Sequence, residues 1–129
     1  MNENDISQIV IQSAIEVHCT LCGPGLLETI YEQALSWELS KNGLAIERQC
    51  EIPVHYKGVL LPVPLRLDLI VEDLVIVECK ASMDHHTVFE SQLLTYLQVT
   101  GLHLGLLINF GFPIVSRGIS RVDNKLRES

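Results

Sequence analysis

Ile6, Ile9, Val10, Ala14, Val17 and Leu21 recur at three- and four-residue intervals, the spacing that lines one face of a helix and predicts α-structure from Asp5 to Leu21. Asp5, with Gln8 three residues on, resembles a capping box at its start. Cys22-Gly-Pro-Gly25 interrupts the pattern, because glycine and proline break a hydrogen-bonded helix. A second helix is expected from about Leu26 to Lys41, closed by Asn42-Gly43 where a left-handed residue is needed.

Beyond this point the pattern becomes extended. Leu44 to Tyr56 alternates in part, Lys57-Gly58 reads as a turn, and Val59 to Val71 returns as a second extended segment. Pro62 and Pro64 lack the amide proton of a central ladder, so only Leu65 to Val71 is expected at the centre of a sheet. Glu72-Asp73 marks a tight connection, and Leu74 to Val77 opens a continuous apolar run of the kind buried on both faces. Thr87 with Glu90 is a second capping-box pattern, opening a helix that ends before Gly101. His103 to Phe110 reads as a strand and Val115 to Val122 as a final one. The predicted order is ααβββαβ plus a terminal β. With no repeat, linker or low-complexity tract, residues 1–129 are expected to form one α/β domain with a mixed central sheet.

Composition narrows this picture only a little. A chain of 129 residues that is 47% hydrophobic and 19% charged excludes wholesale disorder. Its apolar runs stay below the roughly 20 residues of a membrane-spanning helix, and the acidic start MNENDISQ is unlike a secretory or mitochondrial leader. A cytoplasmic location is expected. Cys19, Cys22, Cys50 and Cys79 are then small buried hydrophobes; Cys19 and Cys22 form a CxxC but lack the second ligand pair of a structural zinc site. The net charge of −7 counts against a nucleic-acid binder, although Arg117, Arg121, Lys125 and Arg127 gather four of the nine cationic residues in one stretch. That cluster could hold phosphates or be a solvated tail.

The chemistry concentrates at Glu78-Cys79-Lys80. Residues two apart in a strand share a face, so Glu78 and Lys80 project together from the end of a buried strand. Charge there costs several kcal/mol per group unless paired or metal-bound. Asp68, ten residues earlier, would lie opposite Glu78 in a hairpin. Two crowded carboxylates favour a hard divalent cation, Mg²⁺ or Mn²⁺, held by Asp68, Glu78 and the backbone carbonyl of Cys79. Lys80 would orient water or stabilise developing charge. The alternative is a Glu78–Lys80 ion pair at a strand exit with no catalytic role.

Asp68 with Glu78-x-Lys80 resembles the PD-(D/E)xK signature, and Gly25-Leu-Leu-Glu28-Thr-Ile-Tyr31 resembles the motif that names the GxxExxY branch of that nuclease superfamily. The likeness continues through Arg66-Leu-Asp-Leu69, Gln92-Leu-Leu-Thr-Tyr96 and Leu107-Ile-Asn-Phe-Gly111. No proline directly precedes Asp68, and Cys79 stands where an aliphatic residue is commoner. The resemblance implies a restriction-endonuclease-like αβββαβ core with one extra N-terminal helix. It also implies that Glu28 joins the metal site and that Gln92 and Tyr96 form a QxxxY element bordering it. The activity implied is metal-dependent hydrolysis of nucleic acid, DNA ahead of RNA. The small size and apolar composition lead to the separate expectation of a homodimer, and a protein partner could supply specificity. A catalytically quiet binding or assembly module on the same fold is the first competing reading, and a small-molecule enzyme using the same metal site is the second. His85 and His86 are expected at the surface, and His18, His55 and His103 without a role.

Strand parity adds one requirement. If Asp68 and Glu78 share a face as direct partners, Val71 must pair with Val75, leaving the odd-numbered loop Glu72-Asp73-Leu74 or a β-bulge. The three-residue form would put a left-handed residue at Leu74, a poor choice for that conformation.

Overall fold

Helical and extended periodicities appear where the hydrophobic pattern sets them, in a computed structural model that describes residues 1–124. Helix α1 spans Glu3–Thr20 and α2 spans Glu28–Lys41. Strand β1 (Ile46–Ile52) is followed by the short β2 (His55–Tyr56) and β3 (Val59–Leu60). Strands β4 (Leu65–Val71) and β5 (Val75–Lys80), helix α3 (Thr87–Thr100), strand β6 (Leu104–Asn109), a 3₁₀ turn (Val115–Gly118) and β7 (Ile119–Asp123) complete the order. Each of the two extended segments expected between Leu44 and Val71 is therefore divided. Their inner ends pair as a separate two-stranded hairpin around Lys57-Gly58, and Pro62 and Pro64 fall in the break before β4.

Helix ends differ from expectation in their caps. The capping box of α1 is Asn2 with Asp5, not Asp5 with Gln8: Asp5 N–H donates to Asn2 Oδ1 at 2.9 Å and Asn2 N–H to Asp5 Oδ2 at 3.2 Å. Thr87 is the first residue of α3 rather than its cap; His86 takes the cap position without a side-chain bond, and Glu90 contacts His85 Nε2 at 2.7 Å instead. Short polar residues near a helix start compete for one role, and spacing alone does not choose among them.

The main sheet runs β1-β4-β5-β6-β7, with β5 and β6 parallel and every other pair antiparallel. A parallel pair needs a crossover, and α3 supplies it. One face of the sheet buries Ile6, Val10 and Ala14 of α1 and Tyr31, Leu35 and Leu39 of α2. The other packs Leu67, Ile70, Ile76 and Leu107 against Leu93 and Leu97 of α3. A β-carbon on Gly105 would stand 2.8 Å from the Leu93 side chain, so a bare position on β6 lets α3 lie close to the sheet. Mixed α/β architecture of this kind matches the expected nuclease-like core with its additional first helix.

Two strands change sides. Ile46 of β1 and Leu69 and Val71 of β4 pack toward α1 and α2. Cys50 and Ile52 of β1 and Leu67 of β4 pack toward α3, although in a regular strand each would face as its neighbours of like parity do. The change in β1 falls at Gln49, whose φ is +49°, and in β4 at Asp68, the two residues passed over between the pairs Arg48–Leu69 and Cys50–Leu67.

The β4–β5 hairpin has the required parity: Val71 pairs with Val75, Ile70 with Ile76 and Leu69 with Val77. The loop is Glu72-Asp73-Leu74. Its left-handed residues are Glu72 (φ +54°) and Asp73 (φ +56°), not Leu74, whose N–H closes the turn onto Val71 O at 3.0 Å. Leucine escapes the strained conformation because two polar residues take it.

Candidate active site

Beyond Leu69 and Val77 the β4–β5 ladder hands over to side chains. Asp68 N–H donates to Glu78 Oε2 at 2.8 Å, and Cys79 N–H donates to Asp68 Oδ2 at 2.8 Å. Each carboxylate thus satisfies a backbone donor on the opposite strand. Glu78 is only 5% exposed, and burial followed by the Asp68 charge pushes its carboxyl up to about 8; the Asp68 amide and Lys80 act the other way. Asp68 is also raised by burial, with the Cys79 amide pulling it down. The Cys79 side chain is buried in the α1–α2 cluster, so this residue meets the site through its backbone.

Glu28 opens α2, and its carboxyl is raised by burial, lowered by Lys80 and raised by Asp68. Those interactions put Glu28, Asp68, Glu78 and Lys80 within electrostatic reach of one another. Lys80 Nζ lies 4.8 Å from the centre of the Phe89 ring, in the first turn of α3. Two turns further along α3, Tyr96 is raised by burial and by the charges of Glu78 and Asp68, and it hydrogen-bonds Gln92. Electrostatic coupling thus links Glu28, Asp68, Glu78, Lys80 and Tyr96, and Gln92 adjoins Tyr96 on α3.

Three neighbours went unnoticed in the sequence. Glu32, one turn after Glu28, is 2% exposed and accepts from Arg48 Nε (3.3 Å) and Nη2 (3.1 Å) and from Gln49 Nε2 (2.8 Å to Oε1, 3.0 Å to Oε2). Its charge raises both Asp68 and Glu28. The i, i+4 spacing of Glu28 and Glu32 on α2 is the one signal that could have shown it.

Other motif residues build the frame. Tyr31 O–H donates to Gly23 O at 2.7 Å and accepts from Leu26 N–H at 3.2 Å, tying down the loop that delivers Glu28. Its ring stacks on Phe110 at 4.7 Å with 3° between planes. Tyr31→Phe should cost about 1 kcal/mol, read as a lower Tm. Asn109, 1% exposed, accepts from Ser82 N–H (3.0 Å) and Gly111 N–H (2.9 Å), fixing the segment that follows Lys80.

Several expectations fail. Cys19 and Cys22 are exposed rather than buried. Arg121 is engaged by Asn4 at 2.8 Å and Asp123 at 3.4 Å, so it is not a free phosphate ligand, and Lys125 and Arg127 lie outside the described residues. His18 is buried with Nε2 3.1 Å from Phe110 O, a structural role the sequence did not suggest.

Whether a divalent cation suits these residues can be judged from their chemistry. Among the described residues no three His, Cys, Asp or Glu side chains are gathered as a preformed metal cluster. The donor chemistry nevertheless fits a hard cation: two oxygen-donor carboxylates are crowded and raised, and Asp68 Oδ1 and Glu78 Oε1 stand outside the backbone bonds.

Burial, with like-charge crowding second, also dictates a pH dependence for the metal-free protein. A carboxyl raised from 4.5 to about 8 binds its proton more tightly in the folded state, so its stabilisation is complete below about pH 4.5 and is lost as pH rises through 8. Asp68 and Glu28 shift the same way. Thermal unfolding in chelator should show stability falling by a few kcal/mol from pH 5 to 8. Glu78→Gln should flatten most of that slope; an unchanged slope in the variant would refute the assignment.

A search of curated proteins and one of solved structures found no match. The family described as the PD-(D/E)XK nuclease superfamily matches residues 4–122, from the first turn of α1 into β7. No helix among the described residues is long and apolar enough to cross a membrane. With the match spanning the sheet, its crossover and the helices that flank both, this chain belongs to the PD-(D/E)XK nuclease superfamily.

Proposed function

We propose that this protein is a divalent-metal-dependent nuclease that hydrolyses phosphodiester bonds of DNA. The observation that carries the reading is the reciprocal clasp of Asp68 and Glu78, two crowded carboxylates with Lys80 beside them. Burying like charges together destabilises the fold, and a cation site is the function that accounts for it. Asp68, Glu78 and the Cys79 carbonyl would hold Mg²⁺ or Mn²⁺, with Glu28 contributing directly or through water. When bound, such an ion lowers the pKa of water and stabilises charge on the phosphodiester.

The remaining work falls to side chains of this chain. Lys80 orients the attacking water or stabilises the charge that develops as the bond breaks. Phe89, beneath its ammonium, limits where it can reach. Gln92 and Tyr96 border the reacting groups from α3, as in a QxxxY element. The Gly25-to-Tyr31 motif supports placement in the GxxExxY branch, with Glu28 facing the site and Tyr31 anchoring its loop.

The charge of −7 favours a partner that supplies the positive surface for DNA, in the cytoplasm. Exposed Tyr56, Val59, Leu60 and Val63 favour self-association through the β2–β3 hairpin. The same acidity supports a second reading, a catalytically quiet assembly module that keeps the nuclease fold.

Calorimetric titration with Mg²⁺ and Mn²⁺, alongside cleavage of single- and double-stranded DNA and RNA, separates these readings. The nuclease binds metal at millimolar concentration or below and cuts DNA faster than RNA. Absence of metal binding at millimolar concentration ends the enzyme reading.

A further inference from the structure

The residues that Asp68 depends on lie partly outside the signature. Consecutive residues of a strand point to opposite faces, yet Arg48 and Gln49 both reach the carboxylate of Glu32 on α2. The left-handed φ of +49° at Gln49 accompanies that double contact, and it is a conformation that a side-chain-bearing residue rarely adopts inside a strand. At the same level β1 and β4 exchange the faces they present: Ile46 and Leu69 lie on the α1–α2 side, Cys50 and Leu67 on the α3 side. The β1–β4 register runs from Arg48 opposite Leu69 to Cys50 opposite Leu67, and the two residues it passes over are Gln49 and Asp68. The Asp68 carboxylate reaches across to the Cys79 amide from this point of reversal.

Backbone strain persists only where surrounding contacts over-determine it. Here the contacts are four hydrogen bonds onto a carboxylate that is 2% exposed. Removing one partner would leave a buried charge short of donors, so the arrangement holds as a unit.

We infer that Glu32, Arg48 and Gln49 form a positioning lock that fixes the β1–β4 reversal and so aims Asp68 at Glu78, as the proposed cation site would require. The inference rests on the proposed nuclease reading for its purpose, but not for its geometry. The three are positioning residues: among the described residues no hydrogen bond or ion pair joins them to the Asp68 or Glu78 side chains, and Glu32 reaches Asp68 otherwise only through its charge.

Gln49→Gly separates the lock from the backbone, because glycine accepts the positive φ while losing the tether to Glu32. Two quantities are read on this variant: Mn²⁺ affinity by calorimetry, and hydrogen exchange of the Cys79 amide against that of Val77. Disorder of Asp68 frees the Cys79 N–H, so its exchange should rise about 10-fold relative to Val77. Mn²⁺ affinity should fall about 10-fold, the scale of lost support around metal ligands. Glu32→Gln stands in if the glycine variant does not fold; because it also removes a charge that Asp68 feels, only the exchange of Cys79 relative to Val77 is read on it, and that should rise as in the glycine variant.

Exchange and affinity within twofold of wild type in the folded glycine variant, or exchange alone in its stand-in, would overturn the lock. Equal acceleration at Cys79 and Val77 would also overturn it, since that reports general loosening. If wild-type protein binds no Mn²⁺, the nuclease reading fails, and the relative exchange of Cys79 still decides the positioning claim.

Discussion

Lys80→Ala should lower metal-supported DNA cleavage by about 10²–10⁴-fold while leaving Tm within a few degrees of wild type. Lys80 lowers the carboxyls of Glu28, Asp68 and Glu78 at once, so its charge is felt by all three acids. It is half-buried against Phe89, where a positive charge near a phosphodiester is worth far more than in open water. Alanine removes that charge without opening a large cavity. The opposite balance holds for Glu78→Ala, which should abolish cleavage yet leave the fold as stable or more stable near pH 8, because one of two repelling acids is gone. Steady-state cleavage and thermal unfolding on the same preparations check both variants. A Lys80→Ala protein keeping more than a tenth of wild-type cleavage would remove Lys80 from the chemistry, and a large fall in Tm for Glu78→Ala would give Glu78 a structural role instead.

Gly111→Ala should be the most damaging small substitution for stability. A β-carbon there would stand 2.2 Å from Ser82 O, 2.6 Å from Ser82 C and 2.7 Å from Ser82 N. These are backbone atoms, and Asn109 holds them in place by accepting from the amides of both Ser82 and Gly111. Neither segment can give without breaking that pair of bonds. A loss of about 3 kcal/mol follows, the upper part of the usual range for overpacking, and for a chain of this size a Tm lower by on the order of 10 °C. Because Ser82 is two residues from Lys80, cleavage should fall too. A Tm within 3 °C of wild type would show that the close approach can relax.

Much of this arrangement is legible in the sequence, for identifiable reasons. The Glu78-x-Lys80 spacing fixes a shared face because strand period is two, and that same parity requires Val71 opposite Val75. The residue that would take the left-handed turn position was not legible: the same loop length can be closed with Glu72 and Asp73 in that conformation. Nor was Glu32, since an acid on an amphipathic helix looks solvated until the strand that covers it is placed. Its partners Arg48 and Gln49 are adjacent in sequence, and alternation predicts that they diverge. They meet at one carboxylate only where the strand departs from regular geometry, and no periodicity can announce that. Caps were misassigned for a humbler reason, several suitable polar residues lying within one turn of the right one.

Asp68 and Glu78 meet across a hairpin closed by three residues, whereas β5 and β6 meet only after the whole of α3 has been laid across the sheet. Closing a short loop sacrifices little chain entropy and a long crossover more, so the hairpin is the element able to form first as the chain folds. The two acids are therefore brought together early, and their mutual repulsion acts on the way up the folding barrier rather than after it. Metal-free protein should refold more slowly at pH 8 than at pH 5, so the share of the site's burden that comes from repulsion is carried as a delay in reaching the native state, while the larger share, from burial, speeds unfolding.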